Sequence, residues 1–270
     1  PVSGRANPPG EPCIFLDLKA IRFAYEPAAW SLEIPSLSFG GEPFCGIVGP
    51  NGSGKSTLLK IAAGLLLPGE GVVELDGNPI ARMHRIAIAR RLGFLPPECS
   101  VLFDYTVEQV VAMGRHAHGG VLEMSNPGDR EAVARALSDV GLEKLRHRPL
   151  SHLSGGERRR AWIASALAQE PDMLLLDEPT QSLDLHQAAA VMEILARRAA
   201  DGLRVVAVMH DLNLAGLFCD RLILLQAGKI AADAAPDEIL TENRLFSAYG
   251  DKIEVLQHPN TRKPLVLAKK

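Results

Sequence analysis

The sequence predicts an α/β protein: a buried parallel sheet carries a phosphate-binding turn, a β-rich portion leads into it, and a helical lobe is inserted within it. Three observations carry that reading. The turn GPNGSGKST follows the apolar run FCGIV and opens the helix-patterned run STLLKIAAGLLL. Two further continuous apolar runs, MLLLDEP and LRVVAVMHD, flank the helical stretch HQAAAVMEILARRAA, as strands covered on both faces would. Between these halves the text from about Ile80 to about Leu167 is mainly helical in pattern.

Along the chain, IFLDLKAIRFAYEP and WSLEIPSLSFGGEPFCGIVGP are short β-rich runs cut by Pro and Gly, which predicts an opening sheet region. The helix after the turn ends at PGEG, and VVELDG returns to strand character. VEQVVAMG, REAVARALSDVGL and RRRAWIASALA are the clearest periodic stretches of the helical lobe, expected at about 85–168. HAHGGVLEMSNPGD, rich in turn formers, reads as a loop between two of them. No internal repeat or low-complexity tract interrupts the pattern.

A chain of 270 residues, 47% hydrophobic and 23% charged, suffices for one large domain or two closely joined lobes with a buried core. A formal net charge of -3 provides no basic surplus for wrapping DNA or RNA, so nucleic acid is not an expected partner. Cys13, Cys45, Cys99 and Cys219 lie far apart with no CxxC pair, which reads as free thiols in a reducing compartment. No apolar run approaches the roughly 18–20 residues of a membrane helix. PVSGRANPPGEP lacks the apolar stretch of a secretory signal, so export is not expected.

The chemistry begins at Gly49–Thr57. Gly49, Gly52 and Gly54, with Pro50, Asn51 and Ser53 between them, let successive N–H groups turn toward the β- and γ-phosphates of a nucleotide, with a helix N-terminus behind them. Lys55 supplies a point charge, Ser56 a hydroxyl for Mg²⁺ and Thr57 a contact to the α-phosphate. Such a loop serves kinases, GTPases, recombinases and transport motors alike. In MLLLDEP, Asp177 at a strand end can hold Mg²⁺, and Glu178 beside it can polarise an attacking water.

LSGGE at Leu153–Glu157, directly before RRRAWIASALAQEP, makes the reading specific. Ser154, Gly155 and Gly156 at a helix start offer a hydroxyl and bare amides to an anion, and the same pattern also suits a serine-capped helix start. Placed between the phosphate turn and the acidic strand, it resembles the signature sequence of the ABC (ATP-binding cassette) family. The resemblance covers nearly the whole chain. It implies a P-loop NTPase cassette with a RecA-like core, expected over residues 13–257, with terminal extensions at 1–12 and 258–270.

The resemblance further implies ATP and Mg²⁺ as cofactors and Glu178 as general base, with His210, at the end of VVAVMH, as the switch histidine. Tyr25 matches the aromatic residue placed against adenine, with ordinary sheet packing as the alternative. Ser182, Leu183 and Asp184 match the loop that passes between subunits. Ser154, Gly155, Gly156 and Glu157 would close over nucleotide held by a second copy of the chain.

Two departures stand out. Relatives usually carry a glutamine where LGFLPPE has Pro97; Glu98 is either a substitute oxygen ligand or a solvated loop residue. Ser165 stands where relatives often have arginine. TVEQVVAMGRHAH and YGDKIEVLQHPNTRKPLVL resemble ATPase subunits of metal-chelate importers for ferric siderophores, haem and cobalamin. That implies a peripheral location on the cytoplasmic face of the cell membrane. It also implies two integral-membrane permease subunits as partners and, indirectly, an extracytoplasmic substrate-binding protein. His116 and His118, with no acid or thiol at ligand spacing, read as solvent-exposed. The other classes considered are a soluble non-transport ABC ATPase, disfavoured by the single cassette, and a GTPase or kinase, disfavoured by the lack of an NKxD motif.

Overall fold

A computed structural model of the chain describes residues 14–26, 30–99, 103–119 and 126–269. Cys13, the proline-rich start and part of the expected loop after His118 lie outside the described residues.

The opening β-rich text forms β1 (Leu16–Ala24) and β2 (Ser31–Phe39), an antiparallel pair. The next strand, β3 (Phe44–Val48), leaves them for a second sheet, and the phosphate turn leads from it into α1 (Lys55–Ala62). The chain then returns through β4 (Glu70–Leu75) and β5 (Asn78–Pro79) to complete a four-stranded antiparallel sheet, ordered β2-β1-β4-β5.

Helix α2 (Arg85–Ala89) leads to β6 (Leu92–Leu95), then α3 (Val107–Met113), α4 (Pro127–Asp139) and α5 (Gly155–Ala168). Within the stretch expected to be helical, β6 is thus a strand of the large sheet, paired parallel with β7 (Met173–Asp177). Four residues are too few to show a period, so periodicity alone does not set this short buried strand apart from the helices around it; the resemblance places a strand just before Pro97, where β6 lies. Residues Gly114–His118 form a short 3₁₀ turn continuing from α3, and it takes in His116–His118, the start of the expected loop. The apolar faces of α3, α4 and α5 share one core: Val107, Val110 and Val111 with Val133, Ala136, Leu137, Ile163 and Leu167.

After β7 come α6 (Leu185–Ala200), β8 (Arg204–Val208), α7 (Leu212–Phe218), β9 (Arg221–Gln226), β10 (Lys229–Ala234), α8 (Pro236–Ile239) and α9 (Glu242–Tyr249). The large sheet runs β10-β9-β3-β8-β7-β6, parallel throughout except for the edge pair β9–β10. Every residue of β3, β7 and β8 is buried because both faces are covered. Alternation then splits each strand between two cores. Phe44 and Val48 face the core shared with the helical lobe, while Cys45 and Ile47 face α1 and the antiparallel sheet. The free thiols Cys45 and Cys219 are both buried, one in each core, and burial pushes the Cys45 thiol up to about 12.

The chain closes with a hairpin, β11 (Ile253–Gln257) and β12 (Pro264–Ala268), so the expected domain edge at 257 falls between two paired strands. Asn213 on α7 clasps the backbone of Val266: its Nδ2 donates to the carbonyl at 3.1 Å and its Oδ1 accepts from the amide at 2.7 Å.

Candidate active site

Parallel strands that are neighbours in a sheet deliver whatever follows them to the same edge, and ligands of such sheets bind at the carboxyl ends. Here β3, β8 and β7 are adjacent, and behind them follow the phosphate turn, His210 and Glu178. Lys55, Asp177, Glu178 and His210, far apart in the chain, meet by topology alone. They surround or underlie an open cleft of about 990 Å³, also lined by Tyr25, Trp30, Asn51, Ser56, Thr57 and Ser182.

The turn has the backbone that its glycines require. Gly49 has φ 150°, and a Cβ there would sit 2.0 Å from the Leu225 carbonyl, so no other residue fits. Ser53 is buried behind it, and Pro50 accepts from the Ser53 amide. The Lys55 ammonium is buried and donates to the carbonyls of Gly49 (2.8 Å) and Pro50 (3.0 Å). Burial lowers its pKa, and the carboxylates of Glu178 and Asp177 oppose that shift.

Ser56 Oγ donates to Asp177 Oδ1 at 2.8 Å. Asp177 is fully buried, and its Oδ2 is without a hydrogen-bond partner. Burial raises its carboxyl above the ordinary value, with the Ser56 hydrogen bond pulling the other way. An orphaned buried carboxylate oxygen beside a hydroxyl is a donor set of hard oxygens, which fits Mg²⁺.

Glu178 holds a left-handed backbone, φ 53°, a conformation costing on the order of 1–3 kcal/mol for such a residue and concentrated at functional sites. Its Oε1 accepts from Nε2 of His210 at 2.6 Å, in the tautomer that places the proton on that nitrogen. Tyr25 is exposed; its hydroxyl lies 3.3 Å from Thr57 Oγ1 and its ring meets Phe23 edge to face.

The LSGGE segment is not among the residues lining this cleft. Ser154 N-caps α5 in a full capping box: its Oγ accepts from the Glu157 amide at 3.3 Å, and Glu157 Oε2 accepts from the Ser154 amide at 2.8 Å. That amide hydrogen bond is the main cause of a lowered Glu157 carboxyl pKa. Gly156 lies against Gln187 of α6, where a Cβ would come within 2.6 Å. Asp184 caps α6 through the Gln187 amide at 2.8 Å.

Glu98 is exposed and outside the cleft lining, and Ser165 is buried. His118 Nε2 lies 2.9 Å from the Gln169 carbonyl. Among the described residues no cluster of three or more His, Cys, Asp and Glu side chains forms a metal site. None of the helices there is long and apolar enough to cross a membrane.

Two residues of the site stand outside the motifs of the sequence. Trp30 lines the cleft, and Gly54 lacks a side chain where a Cβ would come 2.5 Å from the indole; an aromatic upstream of the phosphate turn was the available signal. Arg159 is buried on α5 and donates to the Glu178 and Pro179 carbonyls just past the acidic strand end. The run RRR gives no sign of which arginine turns inward.

Comparison with known proteins places most of the chain beside transport ATPases. The family model described as ABC transporter matches residues 32–181. The hemin import ATP-binding protein HmuV of Nocardia farcinica is 42% identical over 241 residues, covering 89% of this chain and 83% of its own. The ferric enterobactin transport ATP-binding protein FepC of Escherichia coli is 40% identical over 225 residues, covering 83% of each. Among solved structures, one described as an inward-facing conformation of a transporter assigned to the metal-chelate ABC type aligns with a TM-score of 0.81 at 26% identity. The alignment covers 95% of this chain and 98% of that one.

Proposed function

Because this chain belongs to the ABC transporter family and is an ATP-hydrolysing subunit within it, we propose that it powers an importer for a metal chelate such as a ferric siderophore, haem or cobalamin. The convergence of Lys55, Asp177, Glu178 and His210 at the carboxyl ends of three adjacent strands carries the catalytic part of this reading. The names of the relatives carry the cargo.

In the proposed reaction the turn amides and Lys55 grip the β- and γ-phosphates of ATP, and Tyr25 lies against adenine. Ser56 and Asp177 would hold Mg²⁺, which when bound offsets the charge gathering on the phosphate oxygens. Glu178 takes a proton from the attacking water, and His210 holds the Glu178 carboxylate in line. Ser154, Gly155, Gly156 and Glu157 have no nucleotide to read within their own chain, so they serve the nucleotide of a second copy, with Asp184 passing between the copies. That dimer sits peripherally on the cytoplasmic face, beneath two permease subunits served by an external substrate-binding protein.

The test is uptake. Cells lacking this chain are expected to lose accumulation of one of the three chelates and to regain it with the wild-type chain but not with Glu178→Gln. Purified Glu178→Gln with Mg²⁺ and ATP is expected to elute as a dimer. Unimpaired uptake of all three chelates would overturn the cargo assignment, and a strictly monomeric variant would overturn the dimer.

A further inference from the structure

The ladder between β6 and β7 pairs Leu92 with Met173 and runs in register to Leu95 with Leu176. Carried one step further, the register sets Pro96 opposite Asp177 and Pro97 opposite Glu178. Proline has no amide proton, so the ladder stops where the catalytic segment begins. The carbonyls beyond that point need donors from elsewhere.

One side chain supplies them. Arg159 Nε donates to the Pro179 carbonyl at 2.9 Å. Nη1 donates to the carbonyls of Pro96 (3.0 Å) and Pro97 (2.9 Å), and Nη2 to those of Asp177 (3.3 Å) and Glu178 (2.9 Å). A guanidinium has five N–H donors in a fixed plane, and each of the five has a backbone carbonyl. Three of those carbonyls belong to prolines. The group is 7% exposed, so competition from water is slight.

We propose that Arg159 is a positioning residue for hydrolysis: it takes over from the interrupted ladder, fastens the Glu178 peptide to the Pro96–Pro97 segment, and so fixes the direction from which the Glu178 carboxylate meets water. The inference rests on the reading of Glu178 as general base. It also assigns a role to the segment where relatives carry glutamine. At Pro97 the backbone carbonyl is the tie, and the donor comes from the helix that begins with the LSGGE motif. Lysine, with three donors at one point, cannot span both segments, Pro96–Pro97 and Asp177–Pro179.

The experiment is a double-mutant cycle on the purified full chain. Arg159→Lys and Arg159→Gln are each made in the wild-type and Glu178→Gln backgrounds. Steady-state ATP hydrolysis, single-turnover hydrolysis of labelled ATP and equilibrium binding of a fluorescent ATP analogue are measured for all. Both Arg159 variants are expected to lower kcat by about ten- to a hundredfold, the scale of a misplaced reacting group. Analogue affinity should stay within about twofold, since the phosphate grip does not pass through Arg159.

In the Glu178→Gln background the same changes should leave the residual rate unaltered, because the group being positioned is already gone. Wild-type kcat in both variants would overturn the proposal, as would an equal loss in the Glu178→Gln background. Loss of nucleotide binding together with turnover in both would mark the arginine as a folding residue only, and overturn it too. The Glu178→Gln rate separates the two levels of inference. If that variant hydrolyses ATP as fast as the wild type, the general-base reading fails first and this one falls with it.

Discussion

Nε2 of His210 lies 2.6 Å from Oε1 of Glu178, joining the ends of β8 and β7 across the floor of the cleft. The carboxylate is thereby anchored through one oxygen and left with the other for water. Glu178→Gln removes the base while keeping the shape of the side chain, and ATP hydrolysis should fall by about 10²–10⁴ with nucleotide affinity retained. His210→Ala removes only the anchor, so its kcat should lie between those of the wild type and Glu178→Gln. Equal rates for wild type and His210→Ala would count against the pairing.

Lys55 spends its ammonium on two carbonyls of its own turn, Gly49 and Pro50, which keeps the charge at the centre of the phosphate cradle. Lys55→Ala should therefore weaken ATP binding at least about tenfold, equivalent to about 1.4 kcal/mol. Isothermal titration with ATP and with AMP checks the assignment. The loss should be large for ATP and small for AMP, which lacks the phosphates this charge is placed to meet.

Most of this site is legible in the text because its motifs are local. GPNGSGKST dictates its own backbone, and MLLLDEP announces a buried strand ending in two acids. Their meeting is not local, yet the alternation of apolar runs and helices already predicts a parallel sheet whose carboxyl edge collects them. What escaped the text depends on three-dimensional register. Strand β6 is too short for a period, and only its pairing with β7 reveals that Pro96 and Pro97 end a ladder. The inward turn of Arg159, rather than Arg158 or Arg160, depends on where α5 packs.

Behind the site, an ion cluster ties the helical lobe to the strand that carries Asp177. Arg115 Nε donates to Asp129 at 2.7 Å, and Glu170 accepts from Arg115 and Arg135 at 2.7 Å each. Burial alone would raise the Glu170 carboxyl; the two arginine hydrogen bonds outweigh it and hold the pKa below the ordinary 4.5. A depressed folded-state value stabilises the protein fully above 4.5, and that stabilisation is lost as pH falls through the folded value. Glu170 is 46% exposed, so solvent screens the effect to about 1 kcal/mol or less. Glu170→Gln should lower the unfolding temperature by about 1–3 °C at pH 7, and the gap should narrow progressively as pH falls below the ordinary 4.5. A gap that persists in acid would point to packing rather than charge.

The reciprocal pair of hydrogen bonds between Asn213 and Val266 joins the body of the protein to the closing hairpin, alongside Lys263 Nζ donating to the Leu217 carbonyl at 2.7 Å and the Val255 amide donating to Glu242 Oε1 at 3.5 Å. Asn213→Ala leaves both backbone groups of Val266 without their partner, at a cost of about 1–3 kcal/mol for half-buried polar groups. Because β12 pairs, among the described residues, only with β11, that cost falls on local opening of the hairpin rather than on the whole fold. Hydrogen exchange should therefore quicken at the amides of Val266 and of its cross-strand neighbours, with those of β3, β7 and β8 unchanged. Asn213→Asp offers a sharper version. It keeps the acceptor for the Val266 amide but loses the donor to its carbonyl, so the exchange rate at Val266 should fall between those of the wild type and Asn213→Ala. Uniform acceleration across the large sheet would show instead that the hairpin is part of the global folding unit.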